Sequence, residues 1–321
     1  MIAFGPVPSR RLGRSLGINN IPPKICPYSC IYCQLGRTIK MQIERRPFYE
    51  PEQIVQAVED KVAQARDAGE TIDYLTFVPD GEPTLDVNLG REIALLRPLG
   101  IKIAVISNGS MIWREDVRED LMEADWVSLK VDAAQEEVWR KIDRPHGKLR
   151  LGTILGGALE LTRALEGELA TETMLVAGVN DGEACLRDTA DFLAQLHANR
   201  DGAVTYLSIP TRPPAEAWAT APTEQAINRA YQIFSQRLER VEYLIGYEGN
   251  AFAFTGDVED DLLSITSVHP MREDAVDAFL ARARPEQERE ARWTLVRDLI
   301  AQEKIVETVY GERKFYVRKI N

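Results

Sequence analysis

Lys24 to Gly36 reads KICPYSCIYCQLG and puts Cys26, Cys30 and Cys33 inside eight residues, separated by three and then two others. Three thiolates on so short a loop can reach one soft metal centre, and thiolate is the ligand that iron–sulfur clusters select. In a [4Fe–4S] cubane a loop of three cysteines leaves one iron without a protein ligand, open to a small molecule. Two other readings compete. A structural zinc site needs a fourth Cys or His at finger spacing, and none follows nearby. A disulfide framework suits small secreted chains, whereas this one has 321 residues and no signal-like start.

The same spacing, with Tyr32 directly before the last cysteine, resembles the signature loop of the radical S-adenosylmethionine (SAM) superfamily. The resemblance implies a [4Fe–4S] cluster on Cys26, Cys30 and Cys33. It implies SAM bound through its amino and carboxylate groups at the open iron, and reductive cleavage of SAM to a 5′-deoxyadenosyl radical. A low-potential electron donor of flavodoxin or ferredoxin type is expected with it.

Composition narrows the setting. Hydrophobic residues make up 45% and charged residues 28%, as in an ordinary globular chain. The 39 Lys and Arg against 50 Asp and Glu give a net charge of −11, so no global basic field draws nucleic acid. Any such role needs a local patch. No run of about eighteen apolar residues predicts a membrane span. The start, MIAFGPVPSRR, lacks a basic n-region and long apolar core. Four cysteines, three of them clustered, fit a reducing cytoplasm, which is the expected location.

Around the cysteine loop, strand-like and helical segments alternate. Strands are expected at residues 14–21, 72–78, 101–107, 126–131, 169–177 and 203–209. Helices are expected at 51–69, 87–99, 115–124, 151–166, 183–198 and 223–238. Helix 51–69 shows the logic: Pro51 at its start, Ile54, Val55, Val58 and Val62 at helical spacing, Gly69 at its end. Alternation at this pace predicts a parallel α/β sheet. Six units with the cysteine loop after the first resemble the partial (β/α)6 TIM-type barrel of radical SAM enzymes.

In such barrels the chemistry sits on loops at the carboxyl ends of strands. Val78–Thr84, VPDGEPT, follows the second strand and resembles the family's Gly-Gly-Glu-Pro motif, with Asp80 where the first glycine stands. That implies a SAM-contacting role for Gly81, Glu82 and Pro83; a plain turn is the other reading. Asn108 follows the third strand. Ser128, Lys130 and Asp132 alternate on the fourth and so share a face. Asn180 follows the fifth. Together with Tyr32 these form the expected SAM pocket. Arg10, Arg11 and Arg14 lie just before the cysteine loop, either gripping an anionic group of substrate or cofactor or forming a solvated turn. Cys185 reads as a buried small hydrophobe, and His146, His197 and His269 are scattered too widely to build a triad.

After about Gly256 the pattern changes to helices at 272–283 and 287–302 and a hairpin over Ile305–Ile320 centred on Gly311. This resembles a winged-helix domain of residues 256–321 appended to a radical SAM domain of residues 1–255. Lys304–Asn321 carries five basic side chains (Lys304, Arg313, Lys314, Arg318, Lys319) against Glu307 and Glu312, enough for a wing to touch a phosphate backbone. Protein docking fits it as well. The first 250 or so residues, with PSRRLGRSLG and DGEPT, resemble the branch containing tRNA wyosine-type synthetases, without the extra cysteines that hold a second cluster there. The expected function is radical SAM chemistry on an unidentified substrate, with RNA leading. An activase or modifier of another protein is the alternative enzyme. A cluster-bearing DNA-binding regulator is the alternative of a different class.

Overall fold

The computed structural model describes residues 1–198, 200–245, 250 and 252–319. β1 (Ala3–Ser9) turns antiparallel into β2 (Gly13–Ile18). The cysteine loop follows, with a two-residue parallel pair, β3 (Ile25–Cys26) and β4 (Lys40–Met41). The alternating part then runs α1 (Pro51–Asp67), β5 (Tyr74–Phe77), α2 (Leu89–Leu96), β6 (Lys102–Ser107), α3 (Glu115–Met122) and β7 (Trp126–Lys130). It continues with α4 (Glu136–Ile142), α5 (Leu151–Ala164), β8 (Glu168–Met174), α6 (Glu183–His197), β9 (Val204–Ser208), α7 (Glu224–Ser235) and β10 (Val241–Leu244). The main sheet has the order β1-β2-β5-β6-β7-β8-β9-β10, and every pairing after β1–β2 is parallel.

The local causes are those the sequence carries. Ile54, Val58, Val62 and Ala65 put one face of α1 into the core. Gly69, at φ +73°, closes it in the left-handed region that glycine enters without strain. β7 (WVSLK) is buried along nearly its whole length, as a parallel strand covered on both faces must be.

The expectation of six strands needs correction at both edges. β10 adds a seventh parallel strand and β1 an antiparallel one. β1, AFGPVPS, carries Pro6, Pro8 and Gly5, which read as punctuation; prolines are tolerated there because an edge strand has one unpaired side. VEYL of β10 is short and half-exposed, with no apolar run to announce it. α4 was also missing from the expectation, as its seven residues are too few for a clear period.

A side chain shows that the sheet curls. Arg11, in the β1–β2 turn, donates to Glu172 Oε2 on β8 at 2.6 Å. β8 lies four strand steps from β2, roughly 19 Å at the usual strand spacing in a flat sheet, far beyond the reach of one arginine.

The remaining chain forms α8 (Val258–Val268), β11 (Met271–Arg272), α9 (Glu273–Ala283), α10 (Arg289–Ala301), β12 (Ile305–Tyr310) and β13 (Arg313–Arg318). The strands order as β11-β13-β12. Of the expected hairpin, Ile320 and the terminal Asn321 lie outside the described residues. A separate hydrophobic cluster, including Phe252, Leu262, Met271, Phe279, Trp293 and Tyr316, holds this part together. It abuts the sheet through β1: α8 packs on that strand, Val7 joins the cluster, and Ala253 N donates to Pro6 O at 3.1 Å. Lys61 of α1, buried, donates to Asp261 Oδ1 at 2.8 Å and Thr255 Oγ1 at 2.7 Å. No helix among the described residues is long and apolar enough to cross a membrane.

Candidate active site

β2 delivers the chain to the carboxyl end of the sheet, where the cysteine loop begins. The loop has almost no regular structure of its own, so its shape is imposed by neighbours. Lys24 N donates to Asp80 O at 2.5 Å and Glu82 N to Ile25 O at 3.2 Å, joining it to the turn after β5. Gly81 is required at this seam, because a Cβ there would stand 2.2 Å from Ile25 O. On the other flank Ser29 N donates to Asp143 O (3.0 Å), Ile31 N to Ile142 O (2.9 Å) and His146 N to Pro27 O (2.8 Å). The cysteines are therefore positioned by the β5–α2 turn and the end of α4.

All three thiols are half-buried and free of disulfides. Burial pushes each of them up, with Glu82 adding to this at Cys26 and Asp143 at Cys30. Tyr28 N and Asn108 Nδ2 donate to Cys26 Sγ at 3.4 and 3.1 Å, contacts that favour sulfur carrying negative charge. Metal must then displace the protons, and it brings the charge that makes the thiolate favourable. Among the described residues no three His, Cys, Asp or Glu side chains converge as a single ion needs. A cubane takes each thiolate at a different corner and suits a wider triangle.

Glu82 is buried and its carboxylate holds two loops together. Oε1 accepts from Thr84 N (3.1 Å), Thr84 Oγ1 (2.6 Å) and Ser107 Oγ (2.7 Å); Oε2 accepts from Asn108 N at 2.8 Å. Burial raises its acid, and these bonds oppose the rise. Oε2 keeps a lone pair for a cationic donor. Glu82→Gln substitutes an amide for one acceptor and leaves a buried donor facing it, a cost of about 1.5–3 kcal/mol. Isothermal calorimetry on the cluster-loaded variant should show SAM affinity down at least several-fold with the cluster spectrum unchanged; unchanged affinity removes the assignment. Asp80, in the first-glycine position, is buried with Oδ1 unpartnered among the described residues. Burial lifts its acid to about 7 against the pull of the amino terminus, Arg318 and Lys24.

Behind this lies a cavity of about 1200 Å³, open to solvent, whose walls include Tyr32, Cys33, Gly81, Glu82, Asn108, Ser128 and Lys130. Its floor is a buried charge network. Glu172 accepts from Arg11 (2.6 Å), Lys130 Nζ (3.1 Å) and Ser208 Oγ (2.8 Å), and Ser128 Oγ lies 3.4 Å from Arg11. Burial alone would raise the Glu172 acid, but Lys130 and Arg11 outweigh it and hold it at about 2. Lys130 Nζ also sits 4.8 Å from the Tyr32 ring centroid.

The structure does not bring every expected residue to the cavity. Asn180 is a backbone staple: Oδ1 accepts from Val176 N (2.8 Å), and Nδ2 donates to Asp132 O (2.9 Å) and Met174 O (2.8 Å). Asp132 stands one layer behind, accepting from Met174 N at 2.7 Å and from the Tyr32 hydroxyl. Pro83 begins the 3₁₀ turn below Glu82 and is not in the cavity wall. Arg14 points away, to Glu70 and Thr71 O, whereas Arg10 and Arg11 do line the cavity. Missing from the sequence reading were Glu172, Asp143, Ser208 and Arg212. Glu172 left a signal, an acidic residue inside a strand at the parity of Ala170 and Met174, registered against Lys130. Arg212, on an irregular segment, left none.

The Radical SAM superfamily model matches residues 20–193, more than half the chain. The chain belongs to the radical SAM superfamily. It is 44% identical over 321 residues to a UPF0026 protein of Methanocaldococcus jannaschii, covering 99% of this chain and 96% of that one. It is also 35% identical over 206 residues to a UPF0026 protein of Helicobacter pylori, 62% of this chain and 64% of the relative. Among solved structures, a radical SAM methyltransferase from Sphaerobacter thermophilus aligns at TM-score 0.51 and 16% identity, over 72% of this chain and 66% of that one. TYW1 with a lysine–pyruvate adduct bound aligns at TM-score 0.51 and 18% identity, over 70% and 73%. At such identities the likeness concerns the fold. As a radical SAM enzyme the chain uses a [4Fe–4S] cluster and SAM, and the three thiols and adjoining cavity fit those groups.

Proposed function

We propose that this radical SAM enzyme acts on a substrate drawn into the cavity beside the cysteine loop, with RNA as the leading substrate class. When bound, the cluster and SAM supply a reductively generated 5′-deoxyadenosyl radical. The protein's part is to hold the cluster on Cys26, Cys30 and Cys33 and to orient SAM against Gly81, Glu82 and Asn108. Tyr32, Ser128 and Lys130 wall the cavity, while Asp132, Asn180 and Pro83 act from behind as positioning residues. The carrying observation is that one cavity joins Cys33, Glu82, Asn108 and Lys130 to Arg212, whose NH2 lies 3.1 Å from Nε2 of His269 beyond α8.

In this reading residues 1–255 form a partial (β/α)6 TIM-type barrel; the curl and the parallel order support it. Residues 256–321 form a winged-helix-like domain. The order α8, β11, α9, α10, β12, β13 and the separate core support that reading. A cytoplasmic enzyme supplied by a flavodoxin- or ferredoxin-type donor fits the free, clustered thiols. Lys130 is not read as an adduct-forming amine. Burial works against its ammonium, yet Glu172 and Asp132 outweigh burial and keep it protonated.

A protein substrate is the second reading, and one observation favours it. Lys304 pairs with Glu259 (2.7 Å), Lys314 with Glu307 (3.2 Å) and Lys319 with Glu303 (2.6 Å), which offsets much of the hairpin's charge. The deciding experiment is anaerobic turnover with SAM, reductant and either bulk tRNA or whole-cell protein. Formation of 5′-deoxyadenosine is expected, with deuterium exchanged between it and the true substrate. Filter binding of tRNA should weaken steeply with salt if RNA is right; salt-insensitive or absent binding moves the assignment to protein. No 5′-deoxyadenosine under any condition defeats both.

A further inference from the structure

Beneath the turn that carries Glu82, three fully buried side chains meet: Asn20 past the end of β2, Asp86 closing the 3₁₀ turn Pro83–Leu85, and Glu92 in the first turn of α2. Asn20 Oδ1, Asp86 Oδ2 and both Glu92 carboxyl oxygens have no hydrogen-bond partner among the described residues. The remaining atoms are fixed. Asp86 Oδ1 accepts from Asn88 N at 2.9 Å, and Asn20 Nδ2 donates to Pro83 O at 3.2 Å. Arg45, the buried cation alongside, donates to the backbone at Thr84 O (2.9 Å) and Asp86 O (2.6 Å), and its ion pairs are with Asp116 (2.8 Å) and Asp120 of α3. Arg91 of α2 pairs with Glu52 of α1 at 2.5 Å, both exposed.

Two carboxyl groups and an amide oxygen packed together out of water need a donor. A hard cation takes six or more oxygens, and among the described residues no three acidic side chains converge as a single ion needs. One proton suffices, because it turns a carboxyl into a donor for its neighbour. Burial, then the charge of Asp86, lift the Glu92 acid to about 9, with Asp120 adding and the Asn20 amide opposing. Burial also lifts Asp86, to about 6, against the Asn88 amide and Arg45.

We infer that Asp86 and Glu92 share one buried proton, and that this pair latches α2 to the turn presenting Glu82 to SAM. Glu92 is then a positioning residue for SAM. The latch rests on the SAM-orienting role proposed above for Glu82. Glu82 caps the same 3₁₀ turn that Asp86 closes, and Asn20 ties that turn to the chain entering the cysteine loop. Loss of the proton sets two anions against each other beneath the turn. The pair therefore holds at neutral pH and opens as pH rises through about 9.

Calorimetric titration of SAM into the reconstituted holoenzyme at pH 7.5 and pH 9.5, beside Glu92→Gln, tests this. The variant's amide donates to Asp86 at either pH. At the higher pH about a quarter of wild-type chains keep the proton, so their apparent SAM affinity should fall about fourfold further than the variant's. The amino group of SAM titrates equally in both samples, so the difference belongs to the protein. Infrared spectra at pH 7.5 should show a protonated carboxyl band that fades at pH 9.5 and that Glu92→Gln lacks. Asp86→Asn removes the charge that helps hold the proton and should move the break to lower pH. A circular-dichroism melt identifies a variant that misfolds, and the other variant then carries the comparison. The latch is overturned if wild type and Glu92→Gln lose affinity in parallel. The shared proton is overturned if Glu92→Gln keeps the band, or if the wild type retains a stoichiometric alkali or alkaline-earth ion that the variant lacks. No SAM binding by wild type at either pH defeats the reading of Glu82 on which the latch rests, and the infrared band still decides the proton.

Discussion

The triple variant Cys26→Ala, Cys30→Ala, Cys33→Ala will hold almost no iron after anaerobic reconstitution, against about four irons per wild-type chain, the stoichiometry of one cubane. The expectation rests on the loop's isolation as much as on its spacing. Cys185, the remaining cysteine, is buried in α6, where burial lifts its thiol to about 11. No other thiol can substitute. The loop's backbone is pinned by Asp80, Ile142, Asp143 and the Glu82 amide, none of which uses a cysteine side chain. The variant should therefore keep its fold, and a circular-dichroism melt close to wild type separates loss of ligands from loss of structure. Full iron in the variant, or stoichiometric zinc in the wild type, would return the loop to a structural site.

Glu172→Gln should be the most destabilising single change in the sheet. It leaves Lys130 and Arg11 facing each other without their shared counterion, and breaking a buried ion pair from one side costs about 3–5 kcal/mol. The depressed acid gives a second route to the figure. Its ordinary value is 4.5 and its folded value about 2, and each unit is worth about 1.4 kcal/mol, which makes about 3.5 kcal/mol at neutral pH. The sign is that of a carboxylate held down by cations: the contribution is complete above about pH 4.5 and is lost as pH falls towards 2. Urea titrations of the apo-protein at pH 7 should show the loss, and the wild-type advantage should shrink on acidification. Adding Lys130→Met to Glu172→Gln should recover part of it. A variant as stable as wild type at pH 7 would show that solvent in the cavity already screens the network.

Element identity was legible in the sequence wherever period and caps agreed. Leu151–Ala164 and Glu183–His197 fall within two residues of their expected bounds, because a buried stripe at helical spacing admits one reading. The edge strands were not legible: β1 contains two prolines and β10 lacks an apolar run, and each is a strand through its one neighbour. Three cysteines at cluster spacing pointed to iron–sulfur chemistry, since covalent spacing limits which thiolates can share a centre, and the resemblance to a family loop narrowed the choice. The turn at Gly81 and Glu82 was singled out because VPDGEPT resembles a family motif, and such a motif is contiguous in sequence. Only tertiary structure decided what those motifs share. Glu82 proved to be a staple between the ends of β5 and β6, Asn180 turned its amide to backbone, and Glu172 became the counterion of residues 42 and 161 positions away. Such contacts arise when the sheet curls, and curl is a sum of small strand twists that no single residue encodes. The placing of Arg212 beside Gln34 and His269 has the same origin. Three segments far apart in sequence meet because α8 packs on β1, and burial then favours hydrogen bonds among their polar atoms.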